Sequence, residues 1–152
     1  MTTVRATKML PPVWFAISLV AMAALHVIAP IAGIIPSRWN WIGVPLIVGG
    51  VVVTISGVRL FLRHRTGIIP FSPSTSLVTS GPYRFTRNPM YVGMVLALAG
   101  VAVTLGTLAP WVVIPIFAWW IRRRFIAHEE TMMAETFGEE YVQYKRRVRR
   151  WM

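Results

Sequence analysis

Two short stretches of this chain carry side chains able to do chemistry. In GPYRFTRNPMYVG, residues 81 to 93, Gly81-Pro82 reads as a turn, and Pro89 disfavours helix at Asn88 while suiting the first turn of a helix that follows. A helix starting there leaves backbone N–H groups unpaired at the positive end of its dipole, which favours an anionic or polar group. Arg84 and Arg87 add two fork-shaped donors for a carboxylate or phosphate; the plainer alternative is a basic loop beside a membrane. The second stretch is Glu129-Glu130. All five acids of the chain are Glu, and all fall between Glu129 and Glu140. Adjacent helix residues point about 100° apart, so one carboxylate can meet a cationic ligand while its neighbour meets an arginine. Here the alternative is a surface pair balancing Arg122 to Arg124.

What the chain lacks narrows the chemistry. It has no Cys, which removes disulfides, thiolate zinc sites and thiol nucleophiles together. Three scattered His and no Asp argue against a metal centre. The net charge of +11 raises nucleic acid as a partner, but no separate polar domain exists to read it. Basic residues flanking apolar spans are better explained by cytoplasmic retention and anionic lipid head groups.

The elements that must position these side chains are membrane spans. The 152 residues allow one domain, and 55% hydrophobic residues, mean hydropathy +0.58 and 14% charged residues describe a membrane protein. Val13 to Ile35 is a charge-free run, too long for the h-region of a signal peptide despite Arg5 and Lys8 before it. A turn at Pro36 to Asn40 leads to a second span, Trp41 to Leu62, completing a helical hairpin. A polar loop covers 63–89. Met90 to Ile121 carries no charge, and Gly106, Thr107 and Pro110 split it into spans of about 90–108 and 109–124, the second continuing as helix through Arg122, Arg123 and Arg124. In the tail, 125–152, Gly138 ends one helix, and Tyr141, Tyr144, Val148 and Trp151 recur at helical spacing opposite Lys145, Arg146, Arg147, Arg149 and Arg150. That pattern predicts an interfacial amphipathic helix.

The expected fold is therefore all-α: a four-helix transmembrane bundle of two hairpins with a cytosolic amphipathic tail. Every Lys and Arg except Arg38 lies at the N-terminus, between Arg59 and the end of the 63–89 loop, or from Arg122 onward. Both termini, the long loop and the site are then cytoplasmic, in the cytoplasmic membrane of a prokaryote. The short second hairpin makes the Arg84–Pro89 turn and the Glu129-Glu130 pair neighbours.

The stretch GPYRFTRNPMYVG, followed about 35 residues later by HEETMMAETFGEEYVQYKRRV, resembles the motif pair of the isoprenylcysteine carboxyl methyltransferase and phospholipid methyltransferase superfamily. The resemblance covers roughly residues 70 to 150 and rests on Arg-x-Pro-x-Tyr-x-Gly, a Glu-Glu pair and Phe-Gly-x-x-Tyr-x-x-Tyr. It implies an integral membrane enzyme that uses S-adenosylmethionine and releases S-adenosylhomocysteine. It also implies that Arg87, Asn88, Pro89 and Tyr91, with Gly81, Tyr83 and Arg84 of the same element, form the cofactor pocket. Glu129 and Glu130 would complete that pocket and Tyr141 and Tyr144 close it, Arg87 and the two glutamates being the catalytic set. Many relatives have His where this chain has Asn88.

Methyl transfer from a sulfonium needs alignment and exclusion of water more than a strong base or a metal, and positioning of bound reactants contributes about 7 to 11 kcal/mol in well-aligned models. The acceptor expected is a small lipophilic molecule from the bilayer, an isoprenoid carboxylate or a phospholipid-like amine. Arg59 and Arg63, four apart at the end of span two, are candidates for its acidic head group, with snorkelling as the alternative. His26, near the middle of span one, is either a substrate contact or a neutral His satisfied by a neighbouring helix. Gly93, Ala97, Gly100 and Thr104 form a small-residue face for close packing, or for a ligand. Trp14, Trp39, Trp41 and Trp111 read as interfacial anchors, and the Met residues as lipid-facing filler. Two rival readings are an NADPH-dependent membrane reductase and a non-catalytic basic scaffold for anionic lipid.

Overall fold

The computed structural model describes residues 10–64 and 76–151; Arg5, Lys8 and the middle of the expected 63–89 loop lie outside them. Helix α1 spans Pro11–Ile28, α2 Gly43–Arg63, α3 Pro89–Leu105, α4 Val113–Ile121 and α5 Ala127–Arg147. Among the described residues every regular element is helical.

The architecture turns on α2 and α3. Gly43, Gly50 and Gly57 recur every seven residues along α2, placing them on one face. Opposite them stand Gly93, Ala97, Gly100 and Thr104 of α3. A Cβ added at Gly50 would lie 2.4 Å from the Gly93 carbonyl oxygen, and one at Gly43 2.3 Å from that of Gly100, so the two backbones touch directly. Thr54 Oγ1 crosses the contact to the Met90 carbonyl at 3.2 Å. Close packing is thus what the small-residue face of α3 does. α2 is the partner, and its glycine repeat is the half of the pattern that the reading of α3 did not use.

This contact alters the expected pair of hairpins. α3 sits centrally, with α2 along one side and α1 and α4 on the other. Met22 of α1, Leu98 of α3, and Phe117 and Ile121 of α4 meet in the main core. α1 ends at Ile28 rather than Ile35, because the chain from Ala32 to Ile35 pairs with the turn after α3: Ile34 N–H donates to the Gly106 carbonyl at 2.9 Å and Leu108 N–H to that of Ala32 at 2.9 Å.

Two segments, Pro11–Ile28 and Ser37–Arg63, are long and apolar enough to cross a membrane, whereas α3, with 17 residues, is shorter and α4 has nine. Exposed apolar side chains such as Val20 at 70%, Val27 at 77% and Ile28 at 81% give these helices a surface suited to lipid. Trp39 and Trp41 are exposed, while Trp14 stacks on Trp120 with centroids 4.9 Å apart. α4 does continue through the arginines, but as a wide π turn over Arg122–Ile126. That turn rotates everything downstream by about one residue's worth of helix relative to an unbroken α-helix. It buries Phe125 and Ile126 and sets the direction of Glu129 and Glu130. Gly138, with φ 51 and ψ −124, breaks α5 in a conformation that favours glycine.

The tail departs from the interfacial expectation. Tyr141, Tyr144 and Val148 are buried against Leu77, Met133, Ala134 and Phe137 of the protein itself, so their apolar stripe is satisfied without lipid. The helix stops at Arg147 and Val148 is extended.

Gly50→Ala should lower stability by about 1 to 3 kcal/mol, because both clashing groups are backbone. Gly49→Ala, whose Cβ meets only Leu96 Cδ2 at 3.8 Å, should be neutral or stabilising by up to about 1 kcal/mol. Thermal unfolding in detergent distinguishes the pair, and equal behaviour would contradict the backbone contact.

Candidate functional site

A cavity lies at the N-terminal end of α3, bounded by the Gly81–Arg84 turn, α5 and the end of α2. Its volume is about 60 Å³. Tyr83, Arg87, Asn88 and Tyr91 line it from one side, and Glu129, Glu130, Tyr141 and Tyr144 from the other. The two motif stretches therefore meet in one cavity.

The adjacent glutamates have separate surroundings, as their helical divergence requires. Glu130 is buried and paired twice: Arg87 NH1 is 2.9 Å from Oε1, while Arg150 donates from Nε to Oε1 at 3.0 Å and from NH2 to Oε2 at 2.5 Å. Glu129 is half-buried and accepts one bond, from the Tyr91 hydroxyl at 2.7 Å. Burial pushes the Glu129 carboxyl above the usual carboxylate range, the charge of Glu130 adds to this, and the Tyr91 bond partly offsets it. Neither glutamate pairs with Arg122 to Arg124. For Arg150 the bond to Glu130 holds the guanidinium even more firmly protonated.

The tyrosines remain neutral donors. Burial, then the neighbouring Tyr144 and Glu129, raises the Tyr83 hydroxyl far above its usual value; burial does the same to Tyr144, whose hydroxyl donates to the Tyr83 carbonyl at 2.7 Å. The Tyr83 hydroxyl and Arg87 Nε are buried with no hydrogen-bond partner, which is uncommon for polar atoms out of water.

Asn88 borders the cavity while its amide Nδ2 donates to the Arg150 carbonyl at 3.1 Å; the remaining candidates lie outside the cavity. Pro89 is fully buried as the first residue of α3 and shapes the site only by starting that helix. Gly81 has φ +58, and a Cβ there would approach Leu60 Cδ1 to 2.7 Å, so it is a turn residue outside the cavity. Arg84 is exposed, as is Phe85 beside it, and borders a separate groove with Glu140, Gln143 and Arg147. Arg59 and Arg63 are exposed on α2 and do not line the cavity. His26 stands at the end of α1, far along the bundle, where Nδ1 lies 2.8 Å from Thr107 Oγ1; a local partner satisfies it.

Several cavity residues escaped the sequence reading. Phe61, Leu77, Val78, Met90 and Met133 supply its apolar wall. Met90 lies inside the quoted motif, and Met133 falls one helical turn after Glu129, so the spacing was available as a signal. Arg150 had no such signal, since it stands in a run of similar cations.

Comparison with known proteins follows this geometry. A family model described as phospholipid methyltransferase matches residues 39–140. An uncharacterized protein of Haemophilus influenzae is 40% identical over 63 residues, 41% of this chain and all of that protein. Protein-S-isoprenylcysteine O-methyltransferase of Mus musculus is 39% identical over 77 residues, 51% of this chain and 27% of that protein. The solved structure of a eukaryotic intramembrane Ras methyltransferase, isoprenylcysteine carboxyl methyltransferase, superposes with a TM-score of 0.66 at 23% identity, covering 93% of this chain and 49% of that one. At that identity the likeness concerns the fold, and the chain spans about half that protein's length.

A carboxyl whose folded pKa is raised binds its proton more tightly folded than unfolded, so its contribution to stability is complete below the ordinary carboxylate value and is lost as pH rises through the raised value. Glu129→Gln, which keeps the shape without the charge, should therefore match the parent near pH 4. Its advantage should grow toward pH 8, where a midpoint higher by about 2–4 °C, equivalent to about 1 kcal/mol, is expected. A pH-independent difference in thermal unfolding would contradict the environment described for Glu129.

Proposed function

We propose, from the premise that this chain belongs to the phospholipid methyltransferase family, that it is an integral membrane methyltransferase that takes its methyl group from S-adenosylmethionine and gives it to a small lipophilic acceptor. The observation that carries this reading is the cavity's chemistry: two buried donors without partners, the Tyr83 hydroxyl and Arg87 Nε, beside a carboxylate, Glu129, that faces the cavity. A ligand joining a carboxylate to cationic groups suits that set, since donors want the anion and Glu129 wants the cation.

S-adenosylmethionine supplies a methyl group on a positively charged sulfur, and its transfer leaves a neutral thioether. In this reading Arg87 and Tyr83 orient the ligand's carboxylate, and Glu129 provides negative charge near its cationic portion. Phe61, Met90, Leu77 and Met133 exclude water and present an apolar wall to the acceptor. No residue needs to act as a strong base, because holding the two reactants in line accounts for most of the required acceleration. The acceptor class is an isoprenoid carboxylate or a phospholipid-like amine arriving from the bilayer. The charge distribution supports a cytoplasmic mouth, and the membrane proposed is the cytoplasmic membrane of a prokaryote.

Calorimetry with S-adenosylhomocysteine on detergent-solubilised protein tests the reading directly. Saturable binding is expected, with no thermal shift from NADPH. Glu129→Gln should weaken S-adenosylmethionine by about tenfold or more, as loss of one charge-assisted contact implies, and Arg84→Ala should leave both ligands unaffected. Absence of binding to folded protein at millimolar ligand would overturn the proposal.

A further inference from the structure

The short extended segment after α5 is fastened to the turn before α3 by three hydrogen bonds. Arg87 N–H donates to the Arg149 carbonyl at 2.9 Å, and Thr86 Oγ1 and Asn88 Nδ2 donate to the Arg150 carbonyl at 2.9 and 3.1 Å. The Arg150 guanidinium then reaches inward to hold Glu130 by two bonds. Its neighbour Arg149 is exposed, as are Lys145, Arg146 and Arg147. Of these tail cations Arg150 is the one that pairs with a cavity carboxylate.

We infer that Arg150 is a positioning residue that sets the charge of the cavity, locking Glu130 into a neutralised pair and leaving Glu129 as the carboxylate presented to the ligand. The inference rests on the cavity's being a methyl-donor site. Charge arithmetic gives it content. Arg87 and Arg150 carry two positive charges against the two negative charges of ionised Glu129 and Glu130, so the group of four is balanced. Without Arg150, Arg87 and Glu130 cancel and Glu129 is left uncompensated. The cavity then becomes net negative and discriminates more strongly between a cationic ligand and its neutral counterpart. The main-chain bonds have a different effect. They fix where Arg87 and Asn88 stand, so loosening them weakens both ligands alike.

The test compares S-adenosylmethionine, a sulfonium, with S-adenosylhomocysteine, its uncharged thioether, by calorimetry on the full chain. Arg150→Met should weaken both ligands while shifting their affinity ratio severalfold toward the sulfonium. Arg150→Lys should keep the parental ratio, because it keeps the charge. Thr86→Val, which removes one main-chain bond and no charge, should weaken both ligands in equal proportion. Amide hydrogen exchange of the peptide containing Arg87 supplies a readout without ligand. Exchange should quicken in Arg150→Met and in Glu130→Gln, and the double variant should be no faster than Glu130→Gln alone, since Arg150 acts through Glu130 while Glu130 also holds Arg87 directly. An unchanged affinity ratio in Arg150→Met overturns the charge role, and additive exchange in the double variant overturns the clamp. If the parent protein binds neither ligand, the methyl-donor reading and the selectivity claim fail together, while the exchange result still decides the clamp.

Discussion

Glu130 joins three stretches that are far apart in the chain: the turn before α3 through Arg87, its own helix α5, and the segment after α5 through Arg150. A buried carboxylate is costly to strip of water, and one arginine seldom compensates fully. Two guanidiniums do better, because Arg150 bonds both carboxylate oxygens and Arg87 adds a second positive charge at 2.9 Å. The arrangement also constrains its surroundings. Removing either cation leaves the buried Glu130 carboxylate with incomplete compensation, so the position of the tail and the position of the motif turn are decided together.

That clamp is useful only because the turn is delivered to a fixed place, which is the work of α2 and α3. Backbone contact at Gly43 and Gly50, with the Met90 side chain against Gly57, holds the start of α3 against the end of α2, where Phe61 joins Tyr83 with ring centroids 5.4 Å apart. Small residues allow such approach in lipid, where apolar side chains gain little from meeting one another. The π turn at Arg122–Ile126 then aims the two glutamates. The cavity is consequently a product of helix packing on one side and helix register on the other, with a polar network closing it.

The resulting site divides one pair of like residues into two tasks. Glu130 is held by two cations, whereas Glu129 lines the same cavity with one tyrosine bond and an environment that disfavours its charge. Environment rather than residue type makes that distinction. Neutral tyrosines and an unsatisfied arginine nitrogen complete a pocket with directional donors and an apolar wall. Such an inventory favours binding and alignment over proton transfer.

The sequence by itself determined the helical class, the apolar segments, the break at Gly138 and the two motif stretches that meet. Each of these depends on composition, on turn chemistry or on spacing within a few residues, and such local preferences act whatever the rest of the chain does. It also placed Tyr83, Arg87, Tyr91, Glu129 and Glu130 among the candidates. Tertiary structure alone decided that Arg84 faces outward, that His26 is satisfied by Thr107 at the other end of the bundle, and that the tail stripe of Tyr141, Tyr144 and Val148 packs inward. It also selected Arg150 from a run of chemically similar cations. Side chains of one type are equivalent until a fold buries a particular partner, and the cost of leaving a buried carboxylate uncompensated is a long-range quantity that no local pattern encodes.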